Sequence, residues 1–160
     1  MKIVIIGGVA GGASAAARLR RLDENAEIVL LERGEHISYA NCGLPYYVGG
    51  EITGKEKLTL QTPRRFQARF AVDVRVRHEA AGIDPARKTV LVRDLARGTD
   101  YEEPYDKLIL SPGAEPVRPP LPGGDDPRVF TLRTIPDAQR IREHIQAARP
   151  QAAVVVGGGF

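Results

Sequence analysis

Short apolar runs alternate with helix-forming segments over the first fifth of the chain. Lys2–Ile6 is apolar and predicts a buried strand, and residues 28–31 predict a second one that ends at Glu32. Between them, residues 13–22 are rich in alanine, leucine and arginine, which favour a helix. A glycine-rich turn over residues 7–12 joins the first strand to this helix. Strand, turn, helix and strand together predict a βαβ unit with a right-handed crossover.

The rest of the chain predicts more strands and helices of ordinary length. We expect helices over residues 42–48, 63–70 and 136–148, the first capped by Asn41 and the second by Thr62. Strands are expected over residues 72–76 and 107–110, and the alternation over 88–93 and around Tyr101 predicts an antiparallel meander. Residues 116–127 are rich in proline and glycine and predict a connection. The fold class is therefore α/β, with a central parallel sheet and an antiparallel β-meander.

The end of the chain repeats the order found at its start. Residues 152–156 are apolar and run into Gly157-Gly158-Gly159-Phe160. An apolar strand followed by a glycine turn is the context that a dinucleotide-binding motif requires. We therefore expect one domain over residues 1–150 and the first strand of a second, truncated dinucleotide-binding domain over 151–160.

Composition narrows the class of protein. The 160 residues are 42% hydrophobic and 27% charged, which is typical of a soluble domain with a core. The net charge of +3 is small and the basic residues are scattered, so we expect no nucleic-acid partner. No apolar run has the length of a membrane span and no leader precedes the first strand, which favours the cytoplasm and no membrane partner. The three histidines, His36, His78 and His144, lack metal-ligand spacing, so no metal is expected.

The glycine turn and Glu32 carry the clearest chemical signal. The run nearly fits the G-x-G-x-x-G pattern of Rossmann-like domains, with a valine at the middle glycine; its residues are Gly7, Gly8, Val9, Ala10, Gly11 and Gly12. Such a turn presents backbone N–H groups to a pyrophosphate at the helix N-terminus. Glu32 follows Gly12 by 20 residues, where a carboxylate can accept both ribose hydroxyls of an adenosine. The alternative is a structural turn beside an exposed glutamate, but the strand–turn–helix context favours dinucleotide binding.

Cys42 is the only cysteine, so it cannot form a disulfide within the chain. At the start of a predicted helix, the helix dipole and free N–H groups lower a thiol pKa, which favours a reactive thiol. Lone cysteines in such domains are, however, often buried and inert. The sequence pattern alone leaves both interpretations open.

Three polar residues share one face of the first predicted helix. Ser14, Arg18 and Arg21 have i, i+4 and i+7 spacing, and two guanidinium groups on one stripe can grip phosphates. A solvated helix face is the more common fate of such charges, and the spacing alone favours it.

Three segments stand out together: residues 5–12, the Ser-Tyr-Ala-Asn-Cys-Gly-Leu-Pro-Tyr-Tyr run over 38–47, and residues 105–114. They closely resemble coenzyme A disulfide reductases, which belong to the pyridine-nucleotide disulfide oxidoreductase superfamily, and residues 105–114 are similar to that family's second FAD-contacting motif. Residues 157–160 resemble the opening of its NADH-binding domain. Dithiol members carry a second cysteine where this chain has Tyr47, and single-cysteine oxidases and peroxidases usually carry a histidine at the position of Ala10. Both departures favour the coenzyme A type.

The resemblance implies roles for individual residues. FAD would be bound by the glycine turn, Glu32, Arg33 and the turn formed by Ser111, Pro112 and Gly113. The coenzyme A site would be lined by Ser14, Arg18, Arg21, Ser38 and Asn41. Cys42 would be the redox-active nucleophile, taking electrons from NAD(P)H through FAD and forming a mixed disulfide with the substrate.

The resemblance also implies a homodimeric parent enzyme, of which this chain is an N-terminal part that is inactive alone. Related persulfide and polysulfide reductases share the motifs. Two other functions remain open: an NADH oxidase or peroxidase that cycles Cys42 through a sulfenic acid, and a non-catalytic nucleotide-binding module.

Overall fold

The structure is a computed structural model that describes residues 1–157, arranged in two compact units. The first unit comprises residues 1–40 and 59–115, and the second comprises residues 41–58 and the chain from residue 116 onward. The strands are β1 (Lys2–Ile6), β2 (Glu27–Glu32), β3 (Asp73–Val76), β4 (His78–Asp84), β5 (Thr89–Asp94), β6 (Thr99–Pro104) and β7 (Lys107–Leu110). The helices are α1 (Ala10–Leu22), α2 (Leu44–Gly49), α3 (Pro63–Phe70) and α4 (Ile135–Ala148).

The first unit is built on a four-stranded parallel sheet. Its strand order is β3-β2-β1-β7. The register pairs Ile6 with both Leu31 and Leu110, and Glu32 with Val76. The carboxyl ends of all four strands therefore meet at one edge, where α/β folds of this kind place their ligands.

Both faces of the parallel sheet are buried. Alternate side chains of each strand point to opposite sides and so enter two different cores. On one face, Ile5 and Leu30 pack in a core with Ala16 of α1 and Phe66 of α3. On the other face, the three-stranded antiparallel sheet β4-β5-β6 packs through its own buried positions. That second core contains Val4, Val29, Leu31, Val90 and Val92. The predicted α/β fold with a parallel sheet and a meander is confirmed.

The start of one helix and the presence of one strand in the first unit differ from the sequence prediction. α1 begins at Ala10 rather than at residue 13, because the last two glycines of the turn adopt the helical backbone. The strand β4 was not predicted, since its Ala-Ala-Gly centre lacks the β-branched residues typical of strands. Its pairing with β5 shifts register between Ala80 and Gly82, which further weakens the alternating pattern.

The second unit is mainly helical. α2 and α4 contact each other, and short 3-10 turns cover Asn41–Gly43 and Lys55–Leu58. α4 begins with a capping box in which Thr134 and Asp137 exchange side-chain-to-backbone hydrogen bonds. The strand expected over residues 152–156 is not formed: Val154, for example, is 89% exposed and has no neighbouring strand to pair with in the described part of the chain. The predicted glycine turn at Gly158, Gly159 and Phe160 lies outside the described residues.

None of the helices within residues 1–157 combines the length and apolar character needed to cross a membrane.

Glu103 joins the meander to the parallel sheet through buried ion pairs. Its carboxylate accepts hydrogen bonds from Lys2 of β1, at 2.5 Å, and from Arg75 of β3. Arg75 also donates to the Tyr101 hydroxyl at 2.9 Å. Burial would by itself raise the pKa of Glu103, but the hydrogen bonds from Lys2 and Arg75 outweigh it and hold the pKa below its usual value.

We expect Glu103→Gln to lower the free energy of unfolding by about 2–3 kcal/mol at pH 7, because it leaves two partly buried cations without their shared anion. The Glu103 pKa is lower in the folded state, so its stabilisation is present above the unfolded pKa and lost as the pH falls through the folded one. The difference from the wild type should therefore shrink in acid. Urea unfolding at several pH values measures both effects.

Glu102→Gln is the matched control, since Glu102 pairs with Arg87 at 2.6 Å on the exposed face of the meander. It should cost less than about 1 kcal/mol. Equal losses from the two variants would contradict a special role for the buried carboxylate.

Candidate functional site

The glycine turn is shaped by two backbone approaches that exclude any side chain. Gly7 has a φ of +97°, and a Cβ there would lie 2.0 Å from the Ser111 carbonyl oxygen. A Cβ on Gly12 would lie 1.7 Å from the Gly7 carbonyl oxygen. Val9, at the middle glycine of the pattern, is the N-cap of α1 with a φ of −87° and a ψ of −125°, so its negative φ does not require glycine. The departure at Val9 therefore leaves the turn intact.

Glu32 ties the turn to the end of β2. Its Oε2 accepts a hydrogen bond from Gly8 N at 2.8 Å, and its Oε1 accepts one from Gly34 N at 2.7 Å. An ionised carboxylate has about four lone-pair sites, so roughly two remain for other donors. These fit the hydroxyls of a ribose.

A cleft of about 250 Å3 opens at the carboxyl edge of the parallel sheet. Of the residues predicted to bind FAD, it is lined by Gly7, Glu32, Arg33, Pro112 and Gly113. Ser111 lies beside them, since its Oγ would be 3.1 Å from a Cβ on Gly11. Whole ligand pockets occupy roughly 300–1,000 Å3, so this cleft suits only part of a dinucleotide. The side-chain-free turn, the free N–H groups of the first helical turn and the carboxylate fit such a ligand.

The cleft also contains residues that the sequence interpretation missed. His78, Glu79 and Ala80, at the start of β4, line it opposite the predicted set. Their place in the chain could have indicated them. They come just after β3, whose carboxyl end lies at the same edge of the sheet as that of β2. Arg33 forms an ion pair with Glu115 beside the cleft, and both side chains are more than half exposed.

The polar stripe on α1 is exposed, as its spacing predicted. Ser14, Arg18 and Arg21 are all solvent-exposed. The neighbouring Arg20 has a different role, because its guanidinium donates to the carbonyl oxygens of Phe70 and Ala71, both at 2.8 Å. Arg20 thus connects α1 to the end of α3 and is structural, whereas the stripe remains open to a ligand.

Ser38 adopts an unusual backbone conformation next to the glycine turn. Its φ is +46°, in the left-handed region that is costly for most residues. Its N–H donates to the Gly8 carbonyl at 2.9 Å, and its carbonyl accepts from Leu60 N at 2.9 Å. The surrounding hydrogen bonds hold this conformation, and the backbone of Ser38 supports the turn directly.

In the second unit, Cys42 is exposed and lies in the 3-10 turn that precedes α2. The expectation that it starts a helix capped by Asn41 is wrong. A helix starting at Cys42 would need the N–H of residue 45 to bond the Asn41 carbonyl, and Pro45 has no N–H. α2 therefore starts at Leu44 with Gly43 as its N-cap.

Asn41 sits directly before the thiol and has an unsatisfied acceptor. Its Oδ1 is buried without a hydrogen-bond partner among the described residues. A buried acceptor without a donor is costly, so a ligand donor at this position would be stabilised.

Within the described part of the chain, no group of three or more histidine, cysteine, aspartate or glutamate side chains is placed to hold a metal ion.

The parallel sheet, its glycine turn and the Glu32 carboxylate at the end of β2 are typical of a dinucleotide-binding α/β protein. The chain belongs to the pyridine nucleotide-disulphide oxidoreductase family, whose model matches residues 1–160. This confirms the predicted superfamily.

The similar proteins include enzymes that are named for reactions of disulfides and persulfides. A coenzyme A disulfide reductase of Staphylococcus epidermidis is 41% identical over 99% of this chain and 36% of its own length. The crystal structure of reduced Bacillus anthracis CoADR-RHD superposes with a TM-score of 0.92 at 52% identity, over 94% of this chain and 27% of that one. The structure of an NAD-dependent persulfide reductase from A. fulgidus superposes with a TM-score of 0.87 at 36% identity, over 92% of this chain and 28% of that one.

A water-forming NADH oxidase from Lactobacillus brevis, in a structure with bound NADH, gives a TM-score of 0.86 at 32% identity, over 91% of this chain and 32% of that one. The chain thus spans about a third of the length of the relatives that it matches.

We expect Glu32→Gln to weaken FAD binding by about 1.5–3 kcal/mol, the value of a hydrogen bond to a charged group. Glutamine offers one acceptor oxygen where the carboxylate offers two, so the hydrogen bond from either Gly8 N or Gly34 N is also lost. Titration of the apoprotein with FAD measures the change. The control is Glu35→Gln, the same chemical change at an exposed residue nearby; equal affinity in both variants would show that Glu32 does not hold the cofactor.

Proposed function

We propose that the full-length protein reduces coenzyme A disulfide, or a related coenzyme A persulfide or polysulfide, with electrons from NAD(P)H. The observation that carries the proposal is the exposed Cys42, the only thiol of the chain, in a family that transfers electrons to sulfur. With no second cysteine in the chain to close a disulfide, its sulfur partner must come from another molecule or another part of the protein. The similarity to coenzyme A disulfide reductases supports that choice of substrate.

The chemistry at Cys42 is thiol–disulfide exchange. Its thiolate attacks one sulfur of the substrate disulfide, forming a mixed disulfide and releasing one coenzyme A thiolate. Two electrons then cleave the mixed disulfide, which releases the second thiolate and restores Cys42. Overall, one disulfide and one NAD(P)H with a proton give two thiols and NAD(P)+. The exposure of Cys42 in its 3-10 turn lets a bulky substrate reach the sulfur.

The cleft of the first unit would hold the adenosine side of FAD. The glycine turn would accept the pyrophosphate, Glu32 would accept the ribose hydroxyls, and Arg33 with the turn at Ser111, Pro112 and Gly113 would line the remainder. When bound, FAD supplies the two electrons that it takes from the pyridine nucleotide.

The substrate would be held by Ser14, Arg18, Arg21, Ser38 and Asn41. The two exposed arginines suit the phosphates of coenzyme A, since guanidinium groups bind phosphate bidentately. The buried, unpartnered Oδ1 of Asn41 would accept a donor from the substrate or the cofactor.

A second candidate function is an NADH oxidase or peroxidase, in which oxidant converts Cys42 to a sulfenic acid that two electrons reduce again. The similarity to the Lactobacillus brevis oxidase supports this second candidate function. Steady-state rates with coenzyme A disulfide, polysulfide, oxygen and peroxide distinguish the two.

We also propose that residues 1–150 form the incomplete FAD-binding domain and that 151–160 begin the NAD(P)H-binding domain. The exposed apolar residues 154–156 would then form a strand by pairing within that second domain. The working enzyme would be a cytoplasmic homodimer, and this chain alone would be inactive.

We expect Cys42→Ser in the full-length protein to retain FAD and to lose disulfide reduction by roughly 10³-fold or more, as when a covalent nucleophile is removed. Mass spectrometry of the wild type, stopped during turnover, should detect coenzyme A attached to Cys42. Wild-type turnover in the serine variant would overturn the proposal.

We expect Arg18→Ala and Arg21→Ala to raise the KM for coenzyme A disulfide and to leave the FAD content unchanged. The increase should diminish at high salt, because exposed charges are screened over a Debye length of about 8 Å at physiological ionic strength. A small disulfide without phosphates should react at an unchanged rate. Arg64→Ala, which removes an exposed arginine from α3, is the control. Equal losses with both substrates would mean that the stripe is structural.

A further inference from the structure

The helix next to Cys42 is too short to be stable by itself. α2 has six residues, and its N-cap, Gly43, makes no side-chain capping bond. Isolated helices shorter than about 12–15 residues are marginal in water, so α2 depends on tertiary contacts. No internal disulfide is available to fix this segment, because Cys42 has no second cysteine as partner.

Arg142 of α4 supplies such contacts at the far end of α2. Its guanidinium donates to the carbonyl oxygens of Tyr47, at 3.2 Å, and Ile52, at 3.0 Å. The same group lies over the Tyr47 ring, with its Cζ 4.5 Å from the ring centroid. Tyr47 is buried, and its carbonyl also accepts the N–H of Gly50 that ends the helix.

These contacts add a charged donor to one carbonyl in the last turn of α2 and to one in the segment that follows the helix. The last four carbonyls of a helix have no partner within it. A charged donor to such a carbonyl and a cation over an aromatic face are each among the stronger polar contacts in proteins. Arg142 therefore fixes both the backbone and the side chain of Tyr47.

We propose that Arg142 is a positioning residue for Cys42, acting through Tyr47 and α2. Cys42 precedes Tyr47 by five residues, and a rigid helical segment of that length spans roughly 7 Å, so an anchor at Tyr47 limits the movement of the thiol. Loosening the anchor misplaces the sulfur without removing any group that touches substrate. The proposal rests on the proposed role of Cys42 as nucleophile.

The test compares three variants of the full-length protein. Arg142→Met keeps much of the length but removes the donors and the charge, and Arg142→Lys keeps the charge and one donor group. Arg140→Met is the matched control, because Arg140 lies on the same helix but pairs with Asp137 at 2.5 Å on the exposed side. Hydrogen exchange of peptides covering residues 41–52 is measured by mass spectrometry, together with the melting temperature and with kcat and KM for coenzyme A disulfide.

In Arg142→Met we expect exchange over residues 44–52 to accelerate about tenfold, the effect of losing hydrogen bonds to a charged group. The kcat should fall on the order of tenfold while KM changes little, since positioning is lost and binding is kept. Arg142→Lys should recover part of both, and Arg140→Met should resemble the wild type.

Exchange that is equal in Arg142→Met and Arg140→Met would overturn the anchor. Faster exchange with unchanged kcat would overturn the positioning role. A loss of kcat that follows only the fraction of folded protein, judged from the melting curve, would also overturn it. The exchange measurement does not depend on catalysis, so failure of the coenzyme A proposal, seen as full turnover in Cys42→Ser, is a separate result.

Discussion

One carboxylate holds the glycine turn to the parallel sheet, and the geometry of the cleft depends on it. Glu32 ends β2 and accepts the N–H groups of Gly8 and Gly34, so the turn and the chain after β2 are fixed together. From the other side, Ser38 donates to the carbonyl of the same Gly8. The backbone N–H and carbonyl of Gly8 are thus both satisfied within the protein. This leaves the first turn of α1 with its N–H groups free for a ligand.

The residues of the proposed site are distributed over both units. The first unit contributes a rigid cradle on a sheet that is buried on both faces, and its core explains the precision of the backbone approaches at Gly7 and Gly12. The second unit carries the thiol on short helical pieces that rely on contacts with α4. A cofactor site benefits from rigidity, whereas a thiol that exchanges partners must stay accessible.

The sequence predicted most of the fold because its signals were local. Apolar runs gave β1, β2 and β7, and Thr62 followed by proline gave α3 with its observed cap. It missed β4, whose residues have weak strand propensity and are recruited by pairing with β5. It placed the start of α2 two residues too early, because the missing N–H of Pro45 disfavours a helix that starts at Cys42.

The candidate site was predictable where a motif fixes residues along the chain, as at Gly7, Gly12 and Glu32. It was not predictable where strands distant in sequence meet, as for His78. Spacing placed Arg21 on the polar stripe, but it could not show that the guanidinium of the neighbouring Arg20 donates to the carbonyl oxygens of Phe70 and Ala71.

The left-handed backbone at Ser38 also limits how this protein can evolve. Asparagine, aspartate and glycine adopt such a φ at low cost, whereas β-branched residues do so rarely. Replacement by a β-branched residue at this position would therefore strain the hydrogen bonds to Gly8 and Leu60. A library randomised at residue 38 should be depleted of valine, isoleucine and threonine even under selection for folding alone, which restricts the side chains available for redesigning specificity at this position.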